Sequence, residues 1–192
     1  MHEIRFHGRG GQGTVVAATL LANAFFKAGL WVQTFPLFGV ERRGAPVEAY
    51  LRLDDKKILT RSGVYTPDHI VVQDKRLLDI IDVANGLKEG GWMLINSNAF
   101  PKNPGPFAKF RMAFVDASRI AIKHGLGTLT QPIVNTAMTG AFARMFGGLD
   151  MDDLAWAIQE EIPIKTQKNI DAAREAFETV VMPTLKQTKN EE

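Results

Sequence analysis

Apolar positions come in short alternating or continuous blocks over the first two thirds of the chain and at helical spacing over the last third. Ile4 and Phe6 alternate with polar neighbours, as a strand does, and a helical run over 14–27 follows. A second strand is predicted over 30–35, running into Pro36, Leu37 and Phe38. Residues 47–53 alternate in the manner of a strand with one wet face, and Asp54-Asp55-Lys56 turns the chain. The block 69–73 reads as a buried strand. Asp74 then caps a predicted helix carrying Leu77, Leu78, Ile81 and Ala84, which Gly86 ends. A further buried strand is predicted over 92–95. The segment 96–109, with Asn98, Pro101, Asn103, Pro104, Gly105 and Pro106, reads as a loop. A strand over 111–115 and a helix over 117–124 capped by Asp116 complete this part.

Past Gly127 the pattern becomes helical. Helices are predicted over 132–145, with Pro132 in the first turn and Gly147-Gly148 after the end, over 152–161, stopped by Pro163, and over 166–186. In the last of these Ile170, Ala173, Phe177 and Val180 form a stripe that packs against the sheet or its neighbours, and the polar tail 186–192 lies outside the core. Short apolar strands alternating with helices predict an α/β fold: a mainly parallel, doubly wound, Rossmann-like sheet with a C-terminal helical segment. The expected organisation is one domain over 1–192, with the sheet core in 1–127 and the helical part in 128–192.

Composition narrows the function classes. At 192 residues the chain is long enough to bury a single core, and it contains no cysteine, so it supplies no disulfide and no thiolate for zinc or an iron–sulfur cluster. Lys plus Arg number 23 against 21 Asp plus Glu, a net charge of +2, which speaks against nucleic acid and acidic membranes as partners. Arg42-Arg43 and Lys56-Lys57 are pairs and not patches. The start Met-His-Glu-Ile-Arg-Phe has no signal-peptide pattern, and the apolar window 15–26 is too short for a bilayer and interrupted by Thr19 and Asn23. A soluble, cytoplasmic protein is expected.

The chemistry gathers at Gly8-Arg9-Gly10-Gly11-Gln12-Gly13, between the first strand and first helix. Gly8, Gly10 and Gly13 have the G-x-G-x-x-G spacing that lets a backbone turn out of a strand and present free N–H groups to an anion. Glycine at such a turn also serves close packing alone. A nicotinamide site needs an acid at the end of the next strand, and none stands there; Glu41 comes several residues late. Glu41-Arg42-Arg43-Gly44 is a second cluster, whose guanidinium groups suit a phosphate or carboxylate, or else an exposed salt-bridged turn. A right-handed βαβ unit brings both clusters to the carboxyl edge of the sheet as a shared anion or interface site. His2, His7, His69 and His124 have no metal-ligand spacing. His7 lies beside the glycine loop, where a ligand contact or a bond to local backbone is open to it. Ser62, Ser97 and Ser118 lack a nucleophile-elbow context, so neither a catalytic set nor a metal site is expected.

Gly8 to Gly13, Phe38-Gly-Val-Glu-Arg-Arg-Gly44 and Asn135-Thr-Ala-Met-Thr-Gly-Ala141 together resemble the gamma subunit of the 2-oxoacid:ferredoxin oxidoreductases, with the pyruvate-using members nearest. The second segment in that family is closer to Tyr-Gly-Pro-Glu-x-Arg-Gly-Gly, so Phe38, Val40 and Ala45 depart from it while Glu41, Arg43 and Gly44 agree. The resemblance implies a non-catalytic subunit of a complex that converts a 2-oxoacid and coenzyme A to acyl-coenzyme A and CO2 while reducing ferredoxin. It further implies alpha-, beta- and delta-type companions holding thiamine diphosphate, magnesium and iron–sulfur clusters, with this chain serving coenzyme A binding and assembly. The implied ligand-contacting residues are Gly8, Arg9, Gly10, Gly11, Gln12, Gly13, Glu41, Arg42, Arg43 and Gly44. A free-standing nucleotide- or dinucleotide-binding protein is the alternative reading of the glycine loop, and a loop that binds nothing and only packs at an interface is a third.

Overall fold

The structure, a computed structural model, describes residues 1–37, 44–100 and 105–183. Six strands form one sheet in the order β2-β3-β1-β4-β5-β6: β1 His2–Arg9, β2 Trp31–Leu37, β3 Pro46–Asp54, β4 His69–Val72, β5 Trp92–Asn96 and β6 Arg111–Val115. From β1 through β4 and β5 to β6 every pairing is parallel, whereas β3 runs antiparallel to both β1 and β2. The α/β fold is therefore mostly parallel, with an antiparallel strand inserted between β1 and β2.

Side-chain alternation assigns the two faces. Ile4 and Phe6, with Ala49, Leu51, Val71, Leu94 and Ala113, point to the face covered by the helices α1 Thr14–Lys27, α2 Ala117–Lys123, α3 Asn135–Phe146, α4 Met151–Glu161 and α5 Thr166–Thr179. Asp116 and Asp150 cap α2 and α4 by accepting backbone N–H bonds, Asp150 from Asp152 at 3.0 Å and Asp153 at 2.9 Å. The C-terminal helices share one apolar cluster with α1 and the sheet. Ile70, Val72, Met93, Ile95 and Met112 point the other way, under Leu77, Val83, Leu87 and Phe110. The crossover from β1 to β2 thus covers one face and those from β4 to β5 and β5 to β6 cover the other, so the winding reverses between β1 and β4.

Three predicted helices are revised. The one expected after Asp74 is a single 3-10 turn, Lys75–Asp79, which Asp74 does cap through Arg76 N–H at 3.0 Å. The segment then lies flat on the sheet: its buried side chains Leu77, Val83 and Leu87 do not share a helical spacing, and the Arg5 guanidinium rising from β1 donates to the Val83 and Asn85 carbonyls. α3 begins at Asn135, because 127–132 first closes a tight turn with Thr128 and Gln131 exchanging backbone hydrogen bonds. α5 ends at Thr179, where Val180 turns extended and Val181 exchanges two backbone bonds with Phe114 on β6 at 2.8 and 2.9 Å. Consecutive β-branched residues and Pro183 two positions on favour that exit. In the 96–109 segment the described part includes a 3-10 turn, Gly105–Lys109.

Behind β1–β3 the second face is polar. Arg52 is fully buried, with Nε 2.8 Å from Glu3 Oε1, one terminal nitrogen donating to Gln33 Oε1 and the other to the Ser62 and Gly63 carbonyls. This single cation ties three strands and the 60–63 loop together, with every donor matched as a buried charge requires.

On the helical face α3 and α5 meet backbone to backbone, since a Cβ on Gly140 would lie 1.9 Å from the Ala173 carbonyl oxygen. Gly140→Ala is expected to force the helices apart and lower stability by about 1–3 kcal/mol, the range for overpacking. Thermal and urea melts of the variant check this; an unchanged midpoint would show that the contact is not tight.

Candidate functional site: a cleft where the winding of the sheet reverses

The glycine loop is built from four glycines with separate duties. Gly8, still in β1, has no room for a side chain, because a Cβ there would lie 2.0 Å from Thr14 Oγ1 and 2.7 Å from Gln73 Oε1. Gly13, left-handed at φ 71°, begins α1, and a Cβ on it would meet the Asn135 carboxamide at 2.7 Å. These two bring α1 and α3 close to the sheet. Gly11, at φ 94°, faces open space and serves the backbone conformation. Gly10 continues the β1–β3 ladder past its end: its N–H donates to the Ala45 carbonyl at 2.9 Å and its carbonyl accepts from Gly44 N–H at 3.1 Å. The Arg9 guanidinium also donates to the Gly44 carbonyl at 3.0 Å. Gly44 therefore lies against the glycine loop; Glu41, Arg42 and Arg43 fall outside the described residues.

Asp74, just past β4, organises the charged side of the loop. Its carboxylate forms an ion pair with Arg9, whose Nε lies 3.0 Å away, and accepts hydrogen bonds from two guanidinium nitrogens of Arg76 at 2.5 and 2.9 Å and from the Gln12 carboxamide at 3.3 Å, while Gln12 Oε1 accepts from Arg9 backbone N–H at 2.8 Å. Burial works to raise the Asp74 pKa, but the hydrogen bonds from Arg76 and the charges of Arg76 and Arg9 outweigh it and hold the group down at about 2. Arg9 and Gln12 are fixed in place, whereas the Arg76 side chain remains largely exposed.

Between this assembly and the 127–134 segment lies a cleft of about 860 Å³. It opens outside the carboxyl ends of the parallel strands at the β1/β4 reversal, the position where open α/β sheets bind ligands. Arg9, Gly10, Gly11, Gln12 and Gly44 line one wall, and Lys75 and Arg76 add positive charge against Asp74 and Asp116. Gln73, Asn96 and Ser118 form a polar floor: Asn96 donates to the Gln73 carbonyl at 2.9 Å and to Ser118 Oγ at 3.0 Å. The Gln73 carboxamide accepts from Thr14 Oγ1 at 2.7 Å, and its nitrogen is buried without a partner. Ile122, Leu129 and Ile133 give the opposite wall an apolar surface. Of the glycine-loop residues, Gly8 and Gly13 lie behind this lining.

Gln73, Asp74, Arg76, Asn96 and Ser118 escaped the sequence reading as site residues. The available signal was positional, since a polar residue stands at the carboxyl end of each parallel strand: Gln73 after β4, Asn96 on β5 and Asp116 after β6. Of the second cluster only Gly44 is described, and it meets the glycine loop; β3 intervenes between β1 and β2, so the end of β2 is not beside β1. An acid there would be displaced from the ribose of a dinucleotide on the glycine loop. Ser118 Oγ is engaged by Asn96, no imidazole lines the cleft, and no group of three potential metal ligands occurs among the described residues. No described helix is long and apolar enough to cross a membrane.

A glycine-loop cleft at the point where the winding of a mixed sheet reverses is the arrangement of a ligand-binding α/β protein. The chain belongs to the pyruvate ferredoxin/flavodoxin oxidoreductase family, whose model matches residues 3–179. It is 47% identical to the pyruvate synthase subunit PorC of Methanothermobacter thermautotrophicus over 94% of this chain and 96% of that one. It is 46% identical to the pyruvate/ketoisovalerate oxidoreductases common subunit gamma of Thermococcus kodakarensis, over 96% of this chain and all of that one. The crystal structure of the Thermotoga maritima pyruvate oxidoreductase subunit PORC superposes with a TM-score of 0.80 at 32% identity, covering 95% of this chain and 98% of that one. The fold recurs with a TM-score of 0.71 at 19% identity in a 2-oxoglutarate:ferredoxin oxidoreductase of Magnetococcus marinus, where it accounts for 30% of a longer chain.

His7 is buried on the second face behind the loop, 3.5 Å from Glu48 Oε1, and burial together with the nearby Arg5 charge pushes its pKa down to about 3. Because the unfolded imidazole titrates near 6.5, the unfolded chain binds the extra proton between that value and 3, so stability falls as pH drops through this window. His69, lowered to about 4 chiefly by burial, acts in the same direction. From pH 7.5 to 5 the His7 contribution alone is expected to cost about 2 kcal/mol. Urea unfolding at both pH values checks this: His7→Gln should flatten the slope, and an unaltered slope would contradict it.

Proposed function

We propose that this chain is the gamma subunit of a 2-oxoacid:ferredoxin oxidoreductase, with pyruvate as the oxoacid, and that it binds coenzyme A and assembles the active complex without performing chemistry itself. The observation that carries the coenzyme A role is the cleft at the β1/β4 reversal, where Arg9, Lys75 and Arg76 stand beside the glycine loop. Three cations against two carboxylates suit the phosphates of coenzyme A, and the Glu41-Arg42-Arg43-Gly44 segment, joined to the loop through Gly44, would extend that surface. The Magnetococcus marinus enzyme that shares the fold has 2-oxoglutarate, coenzyme A and succinyl-CoA bound, and family membership supports the pyruvate reading through the names of the relatives.

In this reading alpha-, beta- and delta-type companions hold thiamine diphosphate with magnesium and the iron–sulfur clusters. Decarboxylation of the oxoacid, transfer of the acyl group to the coenzyme A thiol and delivery of two electrons to ferredoxin take place there. A chain without cysteine fits a division of labour in which cluster thiolates come from elsewhere. The dinucleotide-binding alternative fits less well, because β3 separates the glycine loop from the end of β2.

Arg43→Ala and Arg76→Ala, each purified as fully assembled complex, are expected to raise the KM for coenzyme A about 10- to 100-fold, the scale of one lost charged hydrogen bond, with the KM for pyruvate little changed. Coenzyme A titrations of oxoacid-dependent ferredoxin reduction check this. Curves that overlay the wild type would leave the chain an assembly role alone.

A further inference from the structure

Asn85-Gly86 is the sole Asn-Gly pair in the sequence. It forms the corner of a surface turn: Leu87 N–H donates to the Ala84 carbonyl at 3.0 Å, Gly86 is left-handed at φ 74°, and both corner residues are exposed. A distant residue also holds the turn. Arg5, reaching across from β1, donates through one terminal nitrogen to the carbonyls of Val83 and Asn85. Arg5 is otherwise poorly compensated: it is 7% exposed, its Nε has no hydrogen-bond partner, and among the described residues it forms no ion pair. A buried guanidinium without a carboxylate is costly, so a negative charge placed here would relieve it.

The Asn85 carbonyl and the Gly86 N–H belong to one peptide group, and this decides what the Arg5 bond does chemically. An amide nitrogen becomes nucleophilic when it loses its proton, and the resulting negative charge rests mainly on the carbonyl oxygen. Here that oxygen already accepts from a largely buried cation, placed where the charge develops. Among the described residues Gly86 N–H has no acceptor and the Asn85 carboxamide has no hydrogen bond holding it away, and residue 86 has no side chain to screen its nitrogen. The carboxamide carbon of Asn85 stands at the chain distance where attack by that nitrogen closes a five-membered ring, an intramolecular step favoured over its bimolecular equivalent.

We propose that Asn85 is a self-modifying position, converted to aspartate and isoaspartate by the Gly86 nitrogen, with Arg5 stabilising the amidate. The Gly86 N–H gives its proton to solvent and its nitrogen bonds to Asn85 Cγ. The Cγ–Nδ2 bond breaks, and the side-chain nitrogen takes up a proton and leaves as ammonia. Water then opens the succinimide. Attack at Cγ restores the original main chain with an aspartate side chain, whereas attack at the backbone carbonyl carbon routes the main chain through Cβ and leaves an α-carboxylate. Either path consumes one water, releases one ammonia and adds one negative charge, taking the formal net charge from +2 to +1. In the second product the free carboxylate derives from the carbonyl that Arg5 holds, so the guanidinium gains the counter-ion that it lacks and isoaspartate is favoured.

The test incubates the full folded chain at mildly alkaline pH beside a synthetic peptide of residues 80–90, which has the same Asn-Gly pair without Arg5. Peptide mass and methyltransferase labelling of isoaspartate follow position 85. The folded chain should convert at least as fast as the peptide, with Asn85 the dominant site and isoaspartate the main product. Arg5→Gln should slow conversion at least tenfold, Arg5→Lys should restore most of it, and Asn85→Gln should remove the acidic shift on isoelectric focusing. Circular dichroism checks that each variant is folded; Gly86 is left unchanged, because a Cβ there would lie 2.0 Å from the Tyr65 carbonyl oxygen. A folded wild-type chain that converts more slowly than the peptide overturns the proposal, and that outcome depends on no variant folding. Equal rates in wild type and folded Arg5→Gln overturn it as well.

Discussion

The antiparallel pairing of β1 with β3 governs both the sheet and the site. It runs from His2 opposite Leu53 to Arg9 opposite Pro46 and continues for one more exchange between Gly10 and residues 44–45. Inserting β3 beside β1 moves β2 to the sheet edge and gives the glycine loop a backbone neighbour where a dinucleotide fold would have a parallel strand. The same register brings Glu3 opposite Arg52 and His7 opposite Glu48, so the polar layer behind the loop follows from it. Shifting the pairing by one residue would send Arg52 into the helical core and Leu51 or Leu53 out of it.

Asp74 holds the cationic side of the cleft together by the opposite sign. It fixes Arg9 and Gln12 close to the backbone, while Arg76 pairs with it from a more exposed position. An arriving phosphate would therefore meet one guanidinium already anchored and one able to change partners. The polar floor of Gln73, Asn96 and Ser118 carries no formal charge, so in the coenzyme A reading selection among anions would fall to the rim and to the shape of the cleft.

The parts legible in the sequence were those whose signals are local. The compact blocks of β4, β5 and β6, the limits of α1 and the cap at Asp116 reflect neighbouring residues and agree with the sequence pattern, whereas the Asp150 cap, just before the predicted start at 152, does not stand out in it. The segment after Asp74 misled because Leu77, Leu78 and Ile81 imitate a helical stripe, whereas Arg5, distant in sequence, draws its carbonyls onto the sheet. The antiparallel sense of β3 was not visible in its alternation, which serves either direction equally. For the site, the glycine loop and the family resemblance stood out, but the floor depended on the parallel register that aligns Val72 with Ile95 and so brings Gln73 near Asn96. The difference between Gly8 or Gly13 as packing positions and Gly11 as a turn position also needed the neighbours in three dimensions.

The short bridge between Val181 and Phe114 has a consequence for the geometry of assembly. It blocks the β6 margin at Phe114 with the chain's own C-terminal segment, while among the described residues the other margin, β2, pairs with β3 alone. A protein with two open sheet margins can join copies margin to margin in an unlimited row, as fibres do. Occupying one margin makes addition one-sided: whatever joins at β2 terminates the row there, favouring a particle of finite size over a filament.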